Sequence, residues 1–505
     1  MAALARHEAA LLFVCVTSVY LLTRYPAVGG RYQWGDAAKW QYLGSILGVS
    51  HPPGSPLYVL LTFLWSKLPL GTGLGAKIMA FSSVCGGGAV SLLYASARRL
   101  SFSRAASLLA AGVFAFSLPV WVFSTEAEVY SAFALSMAFV IHRALLWRTG
   151  LRDRDLWAAY FVYALSFSIH YMAITYFLPL AMLLVGTNWR AILRPTNVLM
   201  ALAAIMAGLL PMLWLWFRIP GADYNEFPGP RTWPKFIDFL LARQYRNTMF
   251  SFTLKQMCFD RIGWGVSRLG RFMGFPLLAV VPIGVPCLAR VARLVAAFAV
   301  VGFLAPFLFW VGYARGDELA GAIPVLMIAG ILVASVFDSL ASTVTPRWVR
   351  ISVSLVAIAS AAISPIATAA EFAQHDPAVH FTYAVDSIPK YRWDVACIVQ
   401  QAEPNATIVP PYGDYGSRQI VYYHRYADPV VKAKHLTFRY FFAAPSEWAW
   451  APPSWTPDPS EPGPIYFYSG SYVDRFRRSG FRVEETTMGA CDGKGGTLPF
   501  YRASH

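Results

Sequence analysis

The sequence predicts an α-helical polytopic membrane protein with a C-terminal soluble domain of α/β or α+β type, and three observations carry that prediction. Of the 505 residues, 56% are hydrophobic and the mean hydropathy is +0.46, well above a soluble domain. The apolar residues fall in runs of roughly 17–25, the length of helix that crosses a hydrocarbon core. From about Glu371 onward charged residues and prolines rise, and the apolar runs shorten to strand length. The expected division is therefore a membrane domain over 1–370 and a soluble domain over 371–505.

In chain order, spans are expected at 9–23, 74–97, 105–122, 129–148, 156–170, 172–187, 197–217, 272–289, 294–312, 320–340 and 350–369, about eleven in all, each long enough or nearly long enough to cross. Ala9–Leu22 lacks a small-residue cleavage site and reads as a retained first helix rather than a signal peptide. The segment 156–187 is expected to break at His170-Tyr171. Pro56–Leu68 is too short to cross and reads as a helix lying along the membrane, within a first loop over 24–73. Trp233–Met257, within 232–258, alternates apolar and basic residues at helical spacing and is expected to form a second such helix. In the soluble part, Ala396–Gln401 reads as helix, Ala406–Val409 and Ile465–Tyr468 as strands, Ile420–Arg425 as strand or helix, and the Pro-rich Ala444–Pro464 as irregular loop.

The formal charge of +15 does not point to nucleic acid. Its arginines lie in short clusters between apolar runs, and Arg6, Arg98, Arg99, Arg104, Arg143, Arg148, Arg152, Arg154, Arg190, Arg194, Arg290, Arg293, Arg347 and Arg350 all fall on one side of the scheme. The positive-inside rule makes that side cytoplasmic. The N-terminus is then cytoplasmic and the soluble domain extracytoplasmic, in a bacterial inner membrane on the evidence of arginine over lysine and abundant alanine. Asp36, Glu126, Glu128, Asp223, Glu226, Asp317 and Glu318 collect on the other side. Acids obey no such sorting rule, so their one-sidedness points to a polar cavity there. Cys15, Cys85, Cys258 and Cys287 read as packing residues, while Cys397 and Cys491 are a possible disulfide pair or two free thiols. Asn405-Ala406-Thr407 is a glycosylation sequon, without meaning in most bacteria.

The chemistry-bearing stretch is Gly35–Tyr58, GDAAKWQYLGSILGVSHPPGSPLY. A carboxylate so close to a span is costly unless it faces water or a substrate. Gly35-Asp36, the spacing to His51-Pro52-Pro53-Gly54, Pro56-Leu57-Tyr58 and the short apolar helix after it resemble the first-loop motif of a large family of polytopic membrane proteins. That family, long catalogued as a domain of unknown function, has a protein O-mannosyltransferase as its vertebrate member. Thr125–Ser131 (TEAEVYS) resembles its EVY motif, Ser168–Tyr171 (SIHY) its histidine-bearing break, Ala242–Arg246 (ARQYR) its amphipathic helix, and Ala402–Tyr415 the strand and GD turn of its soluble domain.

The resemblance implies a glycosyltransferase of the GT-C type: a multi-span fold, a polyprenyl-phosphate-linked sugar as donor, a protein or glycan acceptor, and an acid in the first loop. A sugar held by phosphate already carries a good leaving group. The acceptor hydroxyl then needs a base, and the departing phosphate needs cations to stabilise it. Asp36 is the expected base, a choice that rests on the resemblance. Lys39 departs from the family, where many relatives have an acid; it is expected to pair with Asp36 and lower its pKa, or to point at donor phosphate. A second acid, if one is needed, is expected from Glu128, which precedes Val-Tyr as in EVY, or from Glu126. His51 and His170 are candidate substrate contacts, with bend-fixing and packing as their plainer roles. Arg231, Arg243 and Arg246 are candidate phosphate ligands, because guanidinium binds phosphate bidentately, though snorkelling explains them equally. Asp317, beside Arg315 and Glu318, is a further candidate at the cavity rim. Neither histidine has metal-ligand spacing to an acid at i+4, so no metal or other cofactor is expected. The rival functions are a lipid or solute transporter and a non-catalytic scaffold; no internal repeat of the transporter kind is present in the sequence.

Overall fold

A computed structural model describes residues 2–24, 36–314, 319–343, 348, 398–409, 422–439, 463–467, 472–488 and 498–504. Its helices follow the apolar runs: α1 (Ala2–Thr23), α4 (Leu74–Arg99), α5 (Arg104–Ala115), α6 (Leu118–Thr125), α7 (Val129–Gly150), α8 (Asp153–Ser166), α9 (Phe177–Ile192), α10 (Pro195–Arg218), α14 (Phe275–Val291), α15 (Arg293–Gly312) and α16 (Ala322–Thr343). Between them lie α2 (Asp36–Leu43), α3 (Pro56–Ser66), α11 (Trp233–Leu240), the single turn α12 (Leu254–Gln256) and α13 (Ile262–Met273). Among the described residues, seven helices are long and apolar enough to cross a membrane, or nine when two bent pairs each count as one span. The bends are 64° between α5 and α6, where Pro119 opens the second helix, and 108° between α13 and α14, where Gly274 adopts a φ of 88°. The chain is a multi-pass membrane protein. The expected span 350–369, the Pro-rich Ala444–Pro464 and both soluble-domain cysteines lie at least in part outside the described residues.

Three expectations differ from the structure, the first being 105–122, expected as a single span and found as α5 and α6 with the 64° bend between them. The segment 156–170 is helical only to Ser166, a 14-residue α8, after which the chain turns through Phe167–His170 into a 3-10 turn at Tyr171–Tyr176 that feeds α9. Trp233–Met257 is not one helix. It is α11, a left-handed Ala242 (φ 50°), a 3-10 turn at Arg243–Thr248 and a left-handed Phe250. Backbone pairing to the end of α15 interrupts it: the Phe250 N–H donates to Gly312 O at 2.7 Å and the Ala314 N–H to Thr248 O at 2.8 Å. The first bond satisfies an amide and the second a carbonyl that a continuous helix would have satisfied internally.

The core is a bundle in which α4 packs on α1, α5 and α7, α8 packs on α7 and α10, and α16 packs on α5, α14 and α15. Small residues permit the closest approaches, as in membrane bundles generally. A Cβ on Gly208 of α10 would lie 2.7 Å from the Ala164 carbonyl of α8. In the C-terminal part, β1 (Thr407–Val409), β2 (Thr437–Phe438), β3 (Ile465–Phe467), β4 (Arg482–Met488) and β5 (Leu498–Ser504) form one sheet in the order β2-β1-β3-β5-β4. β1 runs parallel to β2 and β3, and β5 antiparallel to β3 and β4. Two short helices, α17 (Pro429–Ala433) and α18 (Val473–Arg478), accompany it, and 422–427 is helical.

Candidate active site

Asp36 is the first residue of α2, where a carboxylate is favoured by the partial positive charge of the helix N-terminus. Lys39 follows at i+3 on the same face, and its Nζ lies 2.8 Å from Asp36 Oδ1 with the lysine side chain wholly buried. The chain then runs through a left-handed Leu47 to His51, whose Nδ1 is 2.6 Å from Lys39 Nζ. The Pro52–Pro53 peptide bond is cis, and the Gly54 N–H closes the turn on His51 O at 2.7 Å. Gly54 has a φ of 91°, and a Cβ there would meet Leu215 Cδ1 at 2.8 Å, so the turn requires glycine. Pro56 then opens α3 at its first turn, where no amide is needed.

The second carboxylate at Lys39 comes from far along the chain. Glu226 Oε2 is 3.6 Å from Lys39 Nζ and 3.6 Å from His51 Nδ1. A two-strand splice holds it there: the Val49 N–H donates to Tyr224 O at 2.8 Å and the Glu226 N–H to Val49 O at 3.0 Å. Tyr224 donates its hydroxyl to Glu226 Oε1. Arg218 fixes the same first-loop segment by donating to Leu47 O at 2.7 Å and Ile46 O at 3.0 Å. Burial would push the Glu226 carboxyl's pKa up, but the Lys39 ammonium and the hydrogen bond and charge of His51 hold it below the ordinary 4.5. Glu226 is therefore an anion paired to a buried cation. The second acid expected from Glu128 is at this cluster supplied by Glu226.

Asp36 and His51, each about one-third exposed, face a cavity of about 1410 Å³. Its polar end also carries Glu126, Glu128, His170 and Tyr245, and its remainder is walled by apolar and small residues of α7 to α10, among them Ala144, Leu184, Ile205 and Gly208. Glu128 caps α7, accepting from the Val129 N–H at 3.3 Å. His170 caps the 3-10 turn, accepting from the Met172 N–H at 3.1 Å, and packs against Tyr130 and Phe133. Burial raises the Tyr245 hydroxyl's pKa; a hydrogen bond with Gln244 opposes this and the Asp36 charge adds to it. Tyr245 is thus a proton-bearing donor on the cavity wall. Glu226 and Tyr245 went unrecognised as site residues: Glu226 was legible only as an acid on the right side, and Tyr245 only as the aromatic of ARQYR.

The three arginines are placed elsewhere. Arg231 stacks on Trp216 at 4.5 Å and donates to Trp216 O. Arg243 pairs with Asp238 at 2.6 Å, and Arg246 is exposed. None of them lines the cavity. Asp317 lies outside the described residues. Among the described residues no set of three His, Cys, Asp or Glu side chains is placed to hold a metal ion.

The first-loop geometry coincides with a sequence match. Residues 36–193 match the model of the protein O-mannosyl-transferase TMEM260 N-terminal domain. Two proteins called protein O-mannosyl-transferase TMEM260 are similar to the chain. The one from Dictyostelium discoideum is 32% identical over 144 residues, 28% of this chain and 17% of that protein. The one from Mus musculus is 30% identical over 210 residues, 40% of this chain and 29% of that protein. The chain thus covers less than a third of either relative. In three dimensions it is similar to ArnT from Cupriavidus metallidurans, solved bound to undecaprenyl phosphate, with a TM-score of 0.62 at 13% identity over 98% of this chain and 97% of that one. It is also similar to the Archaeoglobus fulgidus oligosaccharyltransferase, solved with Zn and sulfate, with a TM-score of 0.53 at 13% identity over 98% and 72%. The fold is of the GT-C type.

Proposed function

We propose that the protein is a membrane glycosyltransferase that moves a sugar from a polyprenyl-phosphate donor to an acceptor hydroxyl on the extracytoplasmic side of the plasma membrane. One observation carries this: the Asp36 carboxylate, backed by a buried ammonium, stands at the polar mouth of a cavity that is otherwise apolar and long enough to line four helices. Such a cavity suits a lipid tail beneath a charged head. The undecaprenyl phosphate bound to the ArnT relative in fold and the mannosyl-transferase names of the relatives in sequence support that donor class and make mannose the first sugar to try. Protein Ser or Thr, a glycan or a lipid would serve as acceptor.

In this scheme the acceptor oxygen attacks the anomeric carbon while its proton passes to Asp36. The bond from that carbon to the phosphate oxygen breaks, and the phosphate leaves on the lipid with inversion at carbon. His51, whose Nδ1 lies between the Lys39 ammonium and the Glu226 carboxylate, leaves Nε2 to contact the departing phosphate. Tyr245 is a donor on the wall. Glu128, Glu126 and His170 line the same mouth and would position the sugar.

Purified protein incubated with a panel of polyprenyl-phosphate sugars, with release of lipid phosphate followed, tests the proposal. Asp36→Asn is expected to lower transfer by about 10²–10⁴-fold, the contribution of a positioned base, while leaving donor binding intact. Turnover retained in that variant removes Asp36 from the role of base. A wild type that moves lipids across vesicles but transfers no sugar supports the transporter reading instead.

A further inference from the structure

The cavity is open at its side as well as at its polar mouth. Phe177 of α9 and Ile205 and Leu209 of α10 line it and are also exposed, and on helices that cross a membrane such an opening faces lipid. Trp216 lies two turns beyond Leu209 on the same face of α10, in the last turn of that helix. There Arg231 lies over the Trp216 ring at 4.5 Å and donates to Trp216 O at 2.7 Å, while Trp233 stacks on the same indole at 4.0 Å. Gly229, with a φ of 72°, turns the chain between Pro228 and Pro230, and a Cβ on it would meet Lys235 Nζ at 2.9 Å, so Lys235 folds back over the turn that leads into Arg231. Phe217 and Trp233 are 76% and 54% exposed, the setting that aromatic residues take at a membrane surface. Along α11, Trp233, Ile237 and the capping Leu241 recur at four-residue spacing; all three are exposed, and Ile237 and Leu241 line the cavity. The other face of α11, Phe236 and Phe239, is buried with Leu215 and Ile219.

We propose that Arg231, Lys235 and the Trp216–Trp233 stack form a capture site for the phosphate of a polyprenyl-phosphate lipid, outside the reaction centre, from which the lipid passes along Trp233, Ile237 and Leu241 into the cavity. The identity of the lipid rests on the donor class proposed above. Positive-inside sorting does not account for basic residues on the Asp36 side, and the two cations differ from their neighbour: Arg243 is paired with Asp238 at 2.6 Å, whereas among the described residues neither Arg231 nor Lys235 is paired with a carboxylate. The indole and the Trp216 carbonyl orient the Arg231 guanidinium and leave it further N–H groups for phosphate oxygens. Because both cations are exposed, solvent weakens their hold, which suits a site that passes its ligand on rather than keeping it. The apolar row that follows is one side chain wide, a match to a single polyprenyl tail rather than to the paired tails of a phospholipid.

The test uses the full chain in nanodiscs of neutral phosphatidylcholine, mixed with farnesyl phosphate that carries a fluorophore at its ω-end, and follows association over empty discs by stopped flow. Arg231→Ala/Lys235→Ala is expected to slow association about tenfold at low salt and to flatten its salt dependence, with dissociation unchanged, since rim cations act on encounter. Arg231→Lys keeps the charge and is expected to keep the salt dependence that Arg231→Ala loses. With a lipid-linked sugar as substrate, the double variant is expected to raise KM and to leave kcat as it is. Association that the double variant does not slow overturns the proposal, and so does equal slowing with labelled farnesol, which has no phosphate. A fall in kcat together with faster dissociation also overturns it, because the stack would then be holding α11 in place. Phosphatidylglycerol in the discs that competes as strongly as undecaprenyl phosphate would make the stack a general anionic-lipid contact and overturn the assignment. A wild type that captures the probe but transfers no sugar counts against the glycosyltransferase reading alone.

Discussion

Glu226 shows how much a single side chain depends on its partners. Wholly interior, it is held as an anion by Lys39 and His51 beside it. Its carboxyl pKa is lowered on folding. A group of that kind adds stability that is fully present above its unfolded value and is lost as pH falls through the lower folded value. Wild type is therefore expected to be more stable than Glu226→Gln above about pH 4.5, with the difference in melting temperature shrinking as the pH falls below that. Thermal melts in detergent from pH 7 down to 3.5 check this; a difference that grows on acidification would contradict the pairing. The arginines teach the converse. Arg231 and Arg243 have local partners in Trp216 and Asp238, and a partner a few residues away in chain or space decides where a long side chain points more firmly than residue type does.

At the scale of elements, α8 and α10 meet closely beside the cavity that both of them line. Gly208 sits against the Ala164 carbonyl, and the Ser168 hydroxyl donates to Gly208 O at 2.8 Å, tying the His170 break to α10. Gly208→Val is expected to force the two helices apart, at a cost of about 1–3 kcal/mol for overpacking. It should also raise the donor KM, because Gly208 lines the cavity. Melting temperature and steady-state kinetics with a lipid-linked sugar measure both. An unchanged KM would place the lipid tail elsewhere. The helix at Trp233–Met257 failed to form as one piece for an equally definite reason: its periodicity is helical, but the Gly312 carbonyl and the Ala314 amide at the end of α15 claim its backbone.

Across the whole molecule, the C-terminal part reaches the first-loop cluster through tyrosines. Tyr426 stacks on Tyr42 of α2 at 5.6 Å and donates to Asp223 O at 3.0 Å, and Tyr422 meets Tyr224 edge-on at 5.1 Å. Tyr224 in turn holds Glu226. Aromatic contacts of this kind contribute about 0.5–1.5 kcal/mol each beyond burial. Tyr422→Ala/Tyr426→Ala is expected to raise hydrogen exchange in 222–228 and to lower transfer, with α14 to α16 unchanged. Exchange that rises uniformly would show general destabilisation, and none at all would mean that the splice of Val49 with Tyr224 and Glu226 stands alone.

The sequence by itself placed most of the described spans to within a few residues, with α8 and the bend inside 105–122 the exceptions, and it offered the pairing of Asp36 with Lys39 as one of two readings of that lysine. Hydropathy over some twenty residues and an i, i+3 spacing on one helix are local quantities, and the membrane enforces the first wherever the chain goes. It also marked the face on which the acids gather. Only the tertiary structure decided which acid completes the cluster. Glu226 lies in an unpatterned loop after α10 and reaches Lys39 through backbone bonds to Val49 and a ring contact to a tyrosine of the C-terminal part, and no spacing in the chain encodes a contact made by three segments at once. The same holds for the ammonium's surroundings: lysine at 39 announced a cation in the first loop, and folding alone placed an imidazole and a second carboxylate around it.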